Sequence, residues 1–248
     1  MVIAVVIPTY NEAENLPVLV SALSALPLEL KLLIVDDNSP DGTGQVADSL
    51  AERTPGMEVL HRRRKDGLRS AYVSGFRHVL VKGADAVLQM DADLSHDPNK
   101  INEMLTKLRE SDVVLGSRYI RGGSLDAQWP AWRRGLSAFG NLYARTILGL
   151  PSADVTTGFR LWRSSTLAGM PFERLQSNGY VFLVEMVYLA HCLDYRVGEI
   201  PIHFAERRTG ESKMSFRIQA EAALRVWQVR WHFRDLRSKG RQGRVVNP

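Results

Sequence analysis

The chain holds a single cysteine, Cys192, among 248 residues. That excludes an internal disulfide framework and fits a reducing compartment. Cys192 sits in the apolar stretch 182–193, where an inert buried thiol is expected rather than a nucleophile. No apolar stretch reaches the roughly 18–20 residues of a membrane span. Pro8, Thr9 and Asn11 interrupt the first apolar run, and no charged segment precedes it, so the start reads as a strand and not as a signal peptide. These absences predict a soluble or peripheral intracellular protein. Two familiar nucleotide signatures are also missing: there is no G-x-x-x-x-G-K-[ST] loop, and no G-x-G-x-x-G after the first strand. Acidic residues are scarce at one end. Residues 203–248 carry four Asp/Glu against eleven Lys/Arg, whereas the preceding 202 carry 23 against 21. The net charge of +5 therefore belongs to the C-terminal segment, where an anionic partner is expected.

What is present is enough for a core, with 45% hydrophobic residues. Residues 2–7 form an apolar, β-branched strand, and Asn11-Glu12-Ala13-Glu14 opens a helical pattern with acidic residues in its first turn. A second strand at 31–35 ends in Asp36-Asp37-Asn38-Ser39-Pro40-Asp41-Gly42-Thr43, dense in turn residues. A helix to about Ala51, a strand at 57–60, a helix at 70–81 and an apolar strand at 84–90 follow. Asp97 caps another helix with Pro98 at its first position, and 112–116 is a further strand. This alternation predicts an α/β fold with a mostly parallel sheet. Beyond Gly116 the rhythm changes. An amphipathic helix at 129–148 carries Arg133, Arg134 and Arg145, and a loop from Asp154 leads to a strand ending at Arg163. Next come a buried helix at 180–193, a strand at 195–204 and a long helix at 215–237. The polar tail 238–248 is expected to be disordered.

Asp91-Ala92-Asp93 follows directly on the strand at 84–90. Carboxylates at a strand's carboxyl end stand where open α/β sheets bind ligands. Such a pair suits a hard divalent cation, since Mg²⁺ typically sits on one or two carboxylates plus substrate phosphates. An isolated Asp-x-Asp is more often a solvated acidic loop. This one is not isolated, because Tyr10 and Asp37 end two other strands. Tyr10 could stack on a base, and Glu12 or Asp37 could accept from a ribose hydroxyl or a base N–H; alone, Pro8 and Tyr10 read as ordinary turn and core residues.

Here the sequence resembles a family. Ile3-Ala4-Val5-Val6-Ile7-Pro8-Thr9-Tyr10-Asn11-Glu12, Val35-Asp36-Asp37-Asn38-Ser39-Pro40-Asp41-Gly42-Thr43 and Met90-Asp91-Ala92-Asp93-Leu94-Ser95-His96 are similar to family 2 inverting glycosyltransferases of the GT-A fold. More closely they resemble the dolichyl-phosphate (polyprenyl-phosphate) mannosyltransferases. The likeness runs on, in order, through Gly116-Ser117-Arg118-Tyr119, Thr157-Gly158-Phe159-Arg160, Gly179-Tyr180-Val181-Phe182 with Glu185, and Arg207-Arg208-Thr209-Gly210-Glu211-Ser212-Lys213. Any one block is weak, and the ordered set is specific.

The resemblance implies a GT-A catalytic domain over 1–216, with a donor half at 1–116 and an acceptor half at 117–216. A basic amphipathic helix at 217–237 follows. It implies GDP-mannose as donor, with Pro8, Tyr10, Glu12, Val35 and Asp37 at the guanosine and Asp91, Ala92 and Asp93 at the ribose–diphosphate. Mg²⁺ or Mn²⁺ would sit on Asp93 and Asp91. Ser95 stands where some relatives have a Gln ligand, and a hydroxyl is a poorer one. Arg207 and Lys213 would grip the diphosphate, while Arg208 reads as solvated. Relatives usually carry a small residue in place of Arg69, which could touch the donor or point to water.

The implied acceptor is a polyprenyl monophosphate, held by Arg118 and Arg133 with Ser137; Arg134 is the adjacent alternative. Arginine's planar fork suits phosphate. Asp154, where relatives often place a base, would orient sugar or acceptor in a catalytic set with Asp91, Asp93 and Arg118. The implied product is polyprenyl-phosphate mannose, formed with inversion. In the helix at 215–237, Leu224, Trp227, Val229, Trp231 and Phe233 interleave with Arg225, Arg230, Arg234 and Arg237. That pattern suits an anionic membrane surface, on a membrane's cytoplasmic face, or a helix packed on its own domain. The resemblance also implies that a small membrane partner could supply attachment, as in some family members that lack transmembrane helices. Nucleic acid is disfavoured, because the first 202 residues are slightly acidic and carry no such motif. The alternatives are a UDP-sugar-dependent glucosyl or N-acetylhexosaminyl transferase and a silent nucleotide-sugar-binding subunit.

Overall fold

The computed structural model of the chain describes residues 1–206 and 216–236. In chain order its elements are β1 (Ile3–Thr9), α1 (Leu16–Ser24), β2 (Leu30–Asp36), α2 (Thr43–Ala51), β3 (Met57–His61), α3 (Leu68–Val81) and β4 (Ala86–Gln89). A 3-10 turn, Pro98–Lys100, leads into α4 (Ile101–Leu108), then β5 (Val113–Ser117), β6 (Ser124–Leu125) and α5 (Ala131–Leu148), and a second 3-10 turn, Phe172–Arg174, comes later in the chain. The remainder is β7 (Arg160–Arg163), α6 (Ser164–Ala168), α7 (Gly179–Cys192), β8 (Val197–Pro201), β9 (His203–Phe204) and α8 (Phe216–His232).

Seven strands make one sheet in the order β3-β2-β1-β4-β7-β5-β8, and β6 pairs with β9 apart from it. The large sheet is parallel except for β7, which runs antiparallel to β4 and β5. Successive side chains of a strand point to opposite faces. Ala4 and Val6 accordingly join the core shared with α3 and α7, while Val5 and Ile7 join the core shared with α1 and α4. Helices cover both faces, so the centres of β1, β2 and β4 read as continuous apolar runs rather than alternating ones. Helix α3 lies close on the sheet at Gly75, where a Cβ would come 2.4 Å from Val6 Cγ1.

Four expectations are corrected in detail. No helix opens at Asn11. That residue is left-handed, at φ 62, and α1 begins at Leu16 with no acidic residue in its first turn. The segment is held by its neighbour instead, since the Glu12 and Ala13 amides donate to Thr43 Oγ1 and Asp41. Trp129 precedes α5, buried behind Pro130, rather than belonging to the helix. The strand expected at 195–204 is two: pairing with β5 ends at Pro201, and the chain then pairs with β6. Short α6 was not expected at all. The polar tail lies outside the described residues.

Candidate active site

The topology brings the candidate residues to one edge of the sheet. Strands β2, β1 and β4 are adjacent and parallel, so Asp37, Tyr10 and Asp91, each just past a strand's end, come out side by side. Because β7 runs the other way, its leading loop with Thr157 and Gly158 starts at that same edge. Strand β5 ends there with Arg118.

On the nucleoside side, Pro8 stands opposite Val35 in the β1–β2 register. Val35 is fully buried against α3, and its backbone lies between β1 and β3. The Tyr10 ring carries the Lys65 ammonium 3.4 Å from its centroid. Glu12 accepts from Asn15 Nδ2 at 2.8 Å. Asp37 organises the basic loop after β3: it accepts from Arg62 Nη1 at 2.6 Å and from the amides of Asp66 and Gly67 at 3.2 and 2.8 Å.

At Asp91-Ala92-Asp93 the Ala92 methyl is buried in the core, and Leu94 takes a left-handed φ of 63. A non-glycine residue in that conformation stores about 1–2 kcal/mol, which marks a site-shaping bend. Asp93 is buried, and its Oδ1 accepts from the Ser95 amide at 3.1 Å and the Ser95 hydroxyl at 2.5 Å. Ser95 thus steadies Asp93 rather than standing apart from it. Asp91 Oδ1 accepts from the Tyr72 hydroxyl at 3.0 Å, and its amide donates to His96 Nδ1 at 3.3 Å. On its other side lies Gly158, where a Cβ would stand 2.6 Å from Asp91 Oδ2. Burial, then the nearby Asp91 carboxylate, raises the Tyr72 hydroxyl well above its ordinary pKa, so it stays a proton donor. Among the described residues no third acidic, His or Cys side chain joins a metal-holding group. Two carboxylates completed by a ligand's diphosphate and water are nonetheless a normal donor set for a hard dication.

Arg118 is locked to Asp154. Its Nε and Nη2 donate to the two carboxylate oxygens at 2.7 and 2.8 Å, and Nη2 also reaches Thr156 Oγ1 at 2.7 Å. Asp154 has no exposed surface, so it meets the crevice through Arg118. Burial works against both charges, but each offsets the other's penalty. The Asp154 carboxyl ends below its usual range and the Arg118 guanidinium above its own. The loop that carries Asp154 is itself held: Glu199 accepts the amides of Ala153 and Asp154, and Asn141 Oδ1 accepts the Val155 amide. Beneath it, fully buried Arg160 donates to the carbonyls of Val155, Thr157 and Leu183. Burial lowers that guanidinium to about 9, which still leaves it charged at neutral pH.

A row of rings joins the two sides. His96 lies 5.5 Å from Phe204, and Phe204 5.8 Å from Trp129. Arg118 stands over Phe204 at 5.2 Å and Arg133 over Trp129 at 3.8 Å, so both guanidiniums border one aromatic strip. Arg133 is paired with Glu206 at 2.8 Å, and Ser137 Oγ is 2.9 Å from the Tyr119 hydroxyl. Arg134 is exposed. Arg69 does not point to water: its guanidinium donates to the Leu175 carbonyl. Arg207, Arg208 and Lys213 lie outside the described residues.

Sequence reasoning missed Tyr72, Arg62, Lys65, Glu199 and Glu206. The run Arg62-Arg63-Arg64-Lys65 at a strand end was a usable signal. Tyr72, one turn inside an apolar helix, had none to separate it from a core tyrosine.

The family description "Glycosyl transferase family 2" matches residues 4–168. The undecaprenyl-phosphate mannosyltransferase of Micrococcus luteus is 43% identical over 96% of this chain and 99% of its own length. The polyprenol monophosphomannose synthase of Mycolicibacterium smegmatis is 41% identical over 91% of this chain and 86% of its own. Among solved structures, mannosyl-3-phosphoglycerate synthase from Rubrobacter xylanophilus superposes with a TM-score of 0.65 at 20% identity, covering 97% of this chain and 76% of that one. The fold is the GT-A fold, and the chain belongs to glycosyl transferase family 2.

Proposed function

We propose that this member of glycosyl transferase family 2 transfers mannose from GDP-mannose to a polyprenyl monophosphate with inversion, giving polyprenyl-phosphate mannose and GDP. The observation that carries the proposal is the shared edge: the Asp91–Asp93 bend and the Arg118–Asp154 pair come out at the same edge, on either side of β7, with the His96–Phe204–Trp129 row between them. Two relatives above 40% identity, named for mannosyl transfer to prenyl phosphates, support it.

In this reading Pro8, Tyr10, Glu12, Val35 and Asp37 receive the guanosine, and Asp91, Ala92 and Asp93 the ribose–diphosphate. Arg207 and Lys213 are assigned to the diphosphate. Asp91 and Asp93 would hold Mg²⁺ or Mn²⁺. A bound dication supplies Lewis-acid stabilisation of the departing diphosphate. The acceptor phosphate, with a second pKa of about 6, is already ionised at neutral pH and needs no strong base. That agrees with Asp154, whose depressed pKa and bidentate tie make it a poor proton acceptor. Its work is to aim Arg118, which together with Arg133 and Ser137 draws the acceptor oxygen into line with the anomeric carbon. Alignment and electrostatics then supply the rate.

Among the described residues no helix is long and apolar enough to cross a membrane. The outer faces of α5 and α8 expose Trp132, Phe139, Leu142, Leu224, Trp227 and Trp231, and exposed Arg134, Arg225 and Arg234 stand among them. The helices are tied together where Trp227 Nε1 donates to the Tyr143 hydroxyl at 3.0 Å. An aromatic and basic surface of this kind suits the headgroup level of an anionic membrane, on its cytoplasmic face, alone or beside a small membrane subunit. The test is incubation with labelled GDP-mannose, a polyprenyl phosphate and Mg²⁺ or Mn²⁺. Metal-dependent, butanol-extractable label carrying a β-mannosyl linkage is expected. Label that stays aqueous, or that transfers only from a UDP-sugar, would overturn the assignment.

A further inference from the structure

We infer that Tyr72 is the positioning residue for Asp91: its hydroxyl fixes that carboxylate in the orientation the nucleotide diphosphate and its cation require. The inference rests on the donor-site reading above and extends it to a residue outside the motifs. Three observations carry it. The Tyr72 hydroxyl donates to Asp91 Oδ1 at 3.0 Å, across 19 residues of sequence, from a side chain with no exposed surface. Its ring is clamped, stacked on Phe76 at 5.6 Å and on Phe182 at 6.1 Å, so the hydroxyl has little freedom to follow a moving partner. Gly158 closes the opposite side, with its missing Cβ directed at Asp91 Oδ2. The Asp91 carboxylate is therefore held between a rigid donor and a bare backbone.

A neutral donor is suited to this task. Arginine at the same place would neutralise Asp91 and compete with a cation, whereas a phenol orients the carboxylate and leaves its charge available. The surroundings supply the reason that Tyr72 stays put: α3 is pressed onto β1 at Gly75, and the first turn of α3 is pinned by Arg69 to the Leu175 carbonyl and by Ser70 to Arg62. Loss of the hydroxyl frees the Asp91 carboxylate to rotate, and each ligand then has to re-order it.

Tyr72→Phe removes only the hydroxyl and keeps both stacking contacts. Titration of GDP with Mn²⁺ by calorimetry, without acceptor or turnover, is expected to show about three- to tenfold weaker binding for the variant. The loss should vanish in an Asp91→Asn background, because Tyr72 acts only through that carboxylate. In turnover, the donor KM and the half-saturating Mn²⁺ concentration should rise by the same factor, with kcat recovered at saturation. Measurement well below each variant's melting temperature keeps a small loss of stability from mimicking the effect. Equal binding by the parent and Tyr72→Phe overturns the inference, as does an undiminished effect of Tyr72→Phe on top of Asp91→Asn. If the parent binds neither Mn²⁺·GDP nor Mn²⁺·UDP, the donor-site reading fails, and this inference falls with it.

Discussion

The two sides of the crevice orient their charged groups through different kinds of hydrogen bond. Asp91 and Asp93 accept hydrogen bonds from neutral groups, a phenol on one and the Ser95 amide and hydroxyl on the other. Across the aromatic row, Arg118 and Arg133 arrive already paired, with Asp154 and Glu206. A hydrogen bond from a neutral donor orients a carboxylate without cancelling its charge. A guanidinium with a carboxylate partner is aimed and partly neutralised, so an incoming phosphate must share it. The pairs also differ in depth. Arg118–Asp154 is buried, where breaking a pair is expensive, while Arg133–Glu206 is partly exposed, where it is worth little.

The sharpest way to break the Asp91–Asp93 side is Asp93→Ala, expected to lower transfer by more than about 10²-fold in a protein that still folds, with the melt lowered only by loss of the two Ser95 hydrogen bonds. Undiminished turnover would remove the site from this edge. On the acceptor side, Asp154→Ala should destabilise the fold by about 3–5 kcal/mol, because it strands the Arg118 charge in the interior. Denaturant titration measures this, and a milder loss for Asp154→Asn would sharpen the contrast between missing and uncharged partners. Arg118→Lys keeps the charge and discards the fork, so kcat/KM for the lipid phosphate should fall about 10- to 100-fold while the GDP affinity holds.

The buried pair also has a pH signature. The Asp154 carboxyl is held below its ordinary value in the fold, so its stabilising contribution is complete above the unfolded pKa of about 3.9 and drains as pH falls through the lower folded value. The melting temperature of the parent should therefore drop more steeply below about pH 4 than that of Asp154→Asn. Glu206→Gln is the smallest expected change. Freeing Arg133 from a partly exposed pair should lower the acceptor KM by no more than about fivefold, an effect that shrinks with added salt.

The fold of residues 1–116 was largely legible. Apolar runs covered on both faces gave β1, β2, β4 and β5 near their true bounds, and Tyr10, Asp37 and Asp91 follow strand ends that adjacent parallel pairing must bring together. The order beyond Gly116 was not, because it is set by pairs far apart in sequence: Arg118 with Asp154, 36 residues on, and Arg133 with Glu206, 73 residues on. Periodicity carries no information about such pairs. The same holds for Arg69, whose carbonyl partner is 106 residues away, and for the strand at β8–β9, whose first part pairs with β5 and whose second part pairs with β6.

Sequence alone determined the family, the α/β alternation and the residue types at the crevice, because strand and helix periods and strand-end motifs are local. Tertiary structure decided their division of labour. The reversal of β7 puts Gly158 against Asp91, the packing of α3 puts Tyr72 on the same carboxylate, and the burial of Asp154 turns it from a substrate-facing candidate into the partner that aims Arg118. Each depends on which segments share the interior, where desolvation makes an unpartnered polar group costly and so fixes what each one must touch.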